Sequence, residues 1–154
     1  MTGARARRRL FAPEQAPRLA VQAWLGSRLV LLITLLVVAR THEWTLTETL
    51  TRWDAVHFIS LSQHGYQTLT EAAFFPGLPL VMAAFGVIGV PPVLTGTLLS
   101  LVGSGLAAWA LYRLAGTAVP GAVAVAAWSF APMAIFGAVP YTEAIFCAAA
   151  FWAF

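Results

Sequence analysis

The chain has 154 residues, 60% of them hydrophobic and 10% charged, against about 45–50% and about 25% in a soluble domain. That balance excludes a water-soluble globule, and 12 Gly and 9 Pro scattered among long apolar runs exclude a disordered chain or a disulfide-rich secreted scaffold. The net charge of +3 rests on nine Arg and no Lys. Five of them (Arg5, Arg7, Arg8, Arg9 and Arg18) lie in one tail, so the basic balance points to no nucleic acid partner.

Residues 1–18 read as a basic cytoplasmic tail ahead of a first membrane span over 19–39. The run is too long for the apolar part of a secretory signal, contains Arg28, and lacks a small-residue cleavage site. Arg28 has two readings. With the span beginning at Leu19 it sits about 14 Å deep and needs a partner, since an Arg near the bilayer centre costs at least about 2.5–3.5 kcal/mol. With the apolar core beginning near Trp24 it is one turn deep and snorkels.

The 33 residues from 40 to 72 carry Arg40 and Arg52 against four acidic side chains, and the charge bias puts them outside. Thr45–Glu48 and Thr68–Glu71 both match the capping box, each predicting a helix start. The first leads through Leu50, Trp53, Val56, Phe58, Ile59 and Leu61, a pattern that predicts one amphipathic helix at the membrane surface. On it, Trp53, His57 and His64 share a face beside Asp54. Asp54 as general base, an Asp and His metal site, and a sugar platform stacking on Trp53 are the chemical readings. The plainer one has Asp54 paired with Arg52 or capping a helix.

Spans are then expected over 73–90 and, after the Pro91-Pro92 turn, over 93–114, where Ser100, Ser104 and Ala108 form a small-residue stripe for close helix approach. A fourth covers 118–137, interrupted by Pro132, and a fifth begins at 141 and is still running at Phe154, which reads as an N-terminal piece of a longer protein. The predicted fold is an all-α polytopic membrane domain over 19–154. Strict alternation would put Arg113 outside and the 137–141 turn inside, although Pro132 and Pro140 allow half-spans there. Tyr141 and Glu143 lie between two apolar runs, as an interface anchor with a helix-start acid, or as the lining of a polar cavity. The lone Cys147 reads as a small buried hydrophobe.

The blocks Arg52-Trp53-Asp54-Ala55-Val56-His57-Phe58, Gly65-Tyr66, Ala73-Phe74-Phe75-Pro76-Gly77-Leu78-Pro79, Ala131-Pro132-Met133-Ala134-Ile135-Phe136 and Tyr141-Thr142-Glu143 resemble, in order and spacing, the PIG-V family. That family includes the second mannosyltransferase of glycosylphosphatidylinositol assembly and many bacterial membrane proteins. Gly77 and Thr142 depart mildly from its usual Leu and Ser.

The resemblance implies a GT-C type glycosyltransferase that moves mannose from a polyprenyl-phosphate carrier to a lipid-linked or glycan acceptor outside the cytoplasm. It gives Asp54 the position of the base in the first outer loop. By the same implication Arg28 or Arg52 holds the phosphate, Trp53, His57 and Tyr66 meet sugar or acceptor, Tyr141 and Glu143 complete the substrate site, and neither a metal nor another cofactor is required. Arg without Lys, with abundant Ala, Gly and Pro, points to a bacterial plasma membrane. The alternative is a non-catalytic membrane protein that binds lipid-linked glycan or serves as a partner subunit.

Overall fold

A computed structural model describes residues 13–116 and 119–154; most of the basic tail and the expected start of the fourth span at Ala118 lie outside the described residues. Every regular element described is helical. The α-helices are α1 (Ala16–Thr41), α2 (Leu46–Leu50), α3 (Ala55–His64), α4 (Gly77–Gly86), α5 (Pro92–Leu114), α6 (Val119–Ser129) and α7 (Glu143–Trp152). Short 3-10 turns cover Pro13–Gln15, Leu69–Ala73 and Pro132–Gly137.

Two helices, α1 with 26 residues and α5 with 23, are long and apolar enough to cross a membrane; at 1.5 Å per residue they reach about 39 and about 34 Å. On α1 most of the apolar surface faces outward, with Leu25, Leu29, Val30, Ile33, Leu36 and Val37 about half exposed, the pattern of a helix solvated by lipid. The other apolar helices are shorter. Where a span was expected over 73–90, α4 occupies only Gly77–Gly86, about 15 Å and half the hydrocarbon thickness. The expected 118–137 span is helical only to Ser129, because Pro132 forces Ala131 into extended backbone (φ −61°, ψ 149°) and a 3-10 turn follows.

Contacts fix the relative directions. Ala16 and Ala20 of α1 pack on Ala108 and Tyr112 of α5, and farther along Trp24 Nε1 donates to Ser104 Oγ at 3.2 Å, so α1 and α5 are antiparallel. Helix α7 runs parallel to α5: Gly96 faces Pro140, Gly103 faces the Ala144–Ile145 backbone, and Trp152 Nε1 donates to Leu106 O at 3.2 Å. Close approach along the small-residue stripe therefore occurs, with Ser100, Ser104 and Ala108 all buried.

These directions place Arg113, which lies over Trp152, at the end where α1 starts, and the 137–141 turn at the end where α1 finishes. Strict alternation gives the opposite. The reason is α4: it is joined to α5 by the short 87–91 connection, Leu78 and Leu99 share one apolar cluster, and Met82, farther along α4, meets Gly96. The helix thus travels back toward the start of α5 instead of crossing, and one crossing fewer inverts every later side.

The segment between α1 and α4 differs from one continuous amphipathic helix. The first capping box is present, with the Thr45 N–H on Glu48 at 2.7 Å, but α2 stops at Leu50. Trp53 adopts φ 53°, a left-handed conformation unfavourable to side chains, and α3 restarts at Ala55. Gly65 ends α3 with φ 70°, where a side chain would be strained. The second box starts only a five-residue 3-10 turn.

Candidate functional site

Asp54 occupies the N-cap position of α3, yet its side chain makes no cap hydrogen bond. The early donors of α3 are taken by backbone: Ala55 N–H by Arg52 O, Val56 N–H by Trp53 O, His57 N–H and Phe58 N–H by Asp54 O, at 3.0–3.3 Å. The Asp54 N–H itself donates to the Tyr141 phenol oxygen at 2.9 Å. Among the described residues the exposed carboxylate is thereby left uncommitted, although a side-chain acceptor is the usual solution at this position.

Tyr141 is buried, with 4% of its surface exposed, and its backbone is held from α5. Ser100 Oγ donates to Tyr141 O at 3.1 Å and receives the Tyr141 N–H at 3.3 Å. Its ring packs against Phe136 and meets Phe58 of α3 edge-on. Phe74, from the Phe-Phe-Pro block, stacks on His57 at 4.8 Å between centroids and meets Phe58 edge-on. Tyr66 Oη donates to Phe74 O at 2.6 Å. The Trp-Asp, Gly-Tyr, Phe-Phe-Pro and Tyr-Thr-Glu blocks thus meet around one aromatic cluster.

Trp53, Arg52 and Arg28 have the following places in the structure. Trp53 precedes α3 in a left-handed conformation, so it does not share a helical face with His57 and His64; it stands 68% exposed beside Asp54. Arg52 lies over the Trp44 ring at 3.4 Å instead of being committed to Asp54. A guanidinium stacked by its face keeps its N–H donors at its edge. Arg28 does have partners at depth: Nη1 donates to Ala134 O at 3.2 Å and Nη2 to Ser129 O at 3.5 Å, where α6 breaks. Both are uncharged carbonyls.

Arg28, Gly137, Glu143 and Cys147 are among the residues that line a cavity of about 200 Å³. Glu143 also borders a larger apolar groove of about 770 Å³ between α4, α5 and α7, lined by Phe75, Leu99, Val102 and Phe146. Among the described residues no group of three or more His, Cys, Asp or Glu side chains converges.

In the 40–72 segment, Glu48 is held below the usual carboxylate range by the Thr45 N–H and hydroxyl, with Arg52 nearby. Glu71 is lowered likewise by the Gln67 and Thr68 N–H groups, at 2.6 and 2.8 Å.

Ser100 and Phe74 were missed as site residues from sequence. Ser100 reads as part of the small-residue stripe and Phe74 as part of the Phe-Phe-Pro block, and only their partners show what else they do.

The family model described as Mannosyltransferase (PIG-V) matches residues 20–154. The chain is 36% identical over 112 residues to GPI alpha-1,6-mannosyltransferase 2 of Mus musculus, covering 63% of this chain and 22% of that protein. It is 52% identical over 33 residues to the proteins of the same name from Rattus norvegicus and Cricetulus griseus, 21% of this chain and 7% of each. The chain therefore spans about a fifth or less of the length of the relatives it matches. No solved structure matches it.

Proposed function

The chain belongs to the PIG-V mannosyltransferase family, and from that premise we propose that it carries the catalytic base and part of the substrate site of a GT-C type membrane glycosyltransferase. The donor is a polyprenyl-phosphate mannose, and the acceptor is a hydroxyl of a lipid-linked or free glycan. The reaction is a single displacement with inversion. The acceptor oxygen attacks the anomeric carbon, the bond from that carbon to the phosphate oxygen breaks, polyprenyl phosphate leaves, and Asp54 takes the acceptor proton.

The observation that carries this reading is the uncommitted Asp54 carboxylate, whose helix-start duties are met by the backbone of residues 52–54 and by Tyr141. Arg52, two residues away with its edge donors free of the Trp44 stack, is the phosphate contact this geometry favours over Arg28, whose guanidinium is spent on two carbonyls. Trp53, His57 and Tyr66 border the sugar and acceptor space. Glu143 and Tyr141 close the site from α7 and the turn before it, and the step as written requires no metal in principle.

The membrane is a bacterial plasma membrane, with the basic tail cytoplasmic and residues 40–72 outside. Support comes from Arg113, which lies at the end of the bundle where α1 starts, as the positive-inside bias requires of that end if it is cytoplasmic.

The test uses the full-length enzyme in membranes supplied with labelled polyprenyl-phosphate mannose. Asp54→Asn should lower transfer at least about 100-fold while expression and thermal unfolding stay as in the wild type. Equal transfer by both proteins removes Asp54 as the base. A wild type that binds donor but transfers nothing favours the non-catalytic alternative.

A further inference from the structure

An Asp at a helix N-cap ordinarily spends its carboxylate on the N–H groups of the first turn. That use is incompatible with proton abstraction from a substrate, because the hydrogen-bonded carboxylate is both less basic and turned inward. Two devices on α3 relieve Asp54 of it. The left-handed conformation of Trp53 tightens the chain so that the carbonyls of Arg52, Trp53 and Asp54 take the N–H groups of residues 55–58. The remaining orphan, the Asp54 N–H, goes to Tyr141 Oη, a hydroxyl 87 residues away in sequence.

Tyr141 is fixed well enough to act as a reference point. Its C=O accepts from Ser100 Oγ, its N–H is shared between Val139 O at 2.7 Å and Ser100 Oγ at 3.3 Å, its ring is wedged between Phe136 and Phe58, and it is 4% exposed. Burial on this scale makes substrate contact by its ring unavailable, in contrast to Tyr66, which is 47% exposed.

We infer that Tyr141 is a positioning residue, not a sugar contact: its hydroxyl anchors the Asp54 backbone to α5 through Ser100 and so aims a carboxylate left free for the acceptor proton. The inference rests on the reading of Asp54 as the base.

The full-length enzyme in membranes is compared as wild type, Tyr141→Phe, Ser100→Ala, Asp54→Asn and the Tyr141→Phe/Asp54→Asn double variant, with kcat and KM for donor and acceptor. Amide exchange of the 52–58 peptide is followed in parallel. Tyr141→Phe keeps the ring and loses only the hydroxyl. It should lower kcat about 10- to 100-fold, leave both KM values within about twofold, raise exchange at the Asp54 amide, and add nothing to Asp54→Asn in the double variant. Ser100→Ala should give a smaller fall of the same kind, and carries the test if Tyr141→Phe does not fold.

Raised KM with unchanged kcat, or unchanged kinetics in both variants, would overturn the positioning role while leaving Asp54 as the base. A kcat loss in Tyr141→Phe that multiplies with that of Asp54→Asn would overturn it as well, because the hydroxyl would then act independently. Full activity of Asp54→Asn overturns the base reading and this inference together.

Discussion

The Asp54 backbone N–H and the Tyr141 hydroxyl meet at 2.9 Å, joining the segment that follows the first long helix to the turn that precedes α7. The contact exists because α4 does not cross the bundle. With α5 starting where α1 ends, the 137–141 turn returns to that same end, and a one-crossing difference would have left the two groups on opposite faces. Four measurements probe the arrangement around this contact.

Arg28 spends its guanidinium on the carbonyls exposed where Pro132 breaks the fourth apolar run. Arg28→Gln should therefore cost about 1–3 kcal/mol of stability, the penalty for leaving buried acceptors without a donor, visible as a lowered midpoint of thermal unfolding in detergent. Unchanged stability with weakened binding of a polyprenyl-phosphate analogue would instead make Arg28 the phosphate contact.

Gly103 and Gly86 are both helical glycines with opposite prospects. A Cβ on Gly103 would lie 3.0 Å from the backbone of Ala144 and Ile145, whereas one on Gly86 meets nothing within 4 Å. Gly103→Ala should destabilise by about 1–3 kcal/mol, since two helix backbones must separate. Gly86→Ala should be neutral or stabilising by up to about 1 kcal/mol. Parallel unfolding curves decide both.

Trp53 holds φ 53° with a large side chain 68% exposed, an arrangement that costs about 1–2 kcal/mol. Trp53→Gly should leave stability unchanged or raise it by up to about 1 kcal/mol. If the indole stacks on a sugar, the same change should raise the KM for donor or acceptor by roughly 3- to 10-fold, the equivalent of about 0.5–1.5 kcal/mol. A KM unaffected by Trp53→Gly would assign the indole no part in binding.

Glu48 and Glu71 titrate below the usual carboxylate range because backbone N–H groups bind their charged forms. A carboxyl lowered in the folded state stabilises above its unfolded pKa and loses that contribution as pH falls through the folded pKa. Amide exchange in the segments 45–50 and 67–73 should therefore be slow at neutral pH and quicken in acid beyond the intrinsic pH effect. Glu48→Gln and Glu71→Gln should remove that pH dependence, each in its own segment.

The membrane class, the two capping boxes, the small-residue stripe and the motif blocks were legible in the sequence because each depends on composition or on residues within a few positions of one another. Thr45 and Glu48 find each other whatever the rest of the chain does, and an apolar run of this length has no stable place in water. The tertiary structure alone decided which apolar runs form helices long enough to cross a membrane. The 73–90 stretch is as apolar as its neighbours, and only its packing, with Leu78 and Leu99 in one cluster and Met82 against Gly96, turns it back. It alone broke the expected amphipathic helix at Trp53, gave Arg28 its carbonyl partners, and paired Asp54 with Tyr141. Those outcomes depend on which groups are brought together over tens of residues, and side-chain periodicity carries no record of the distant hydroxyl or carbonyl that satisfies a given donor.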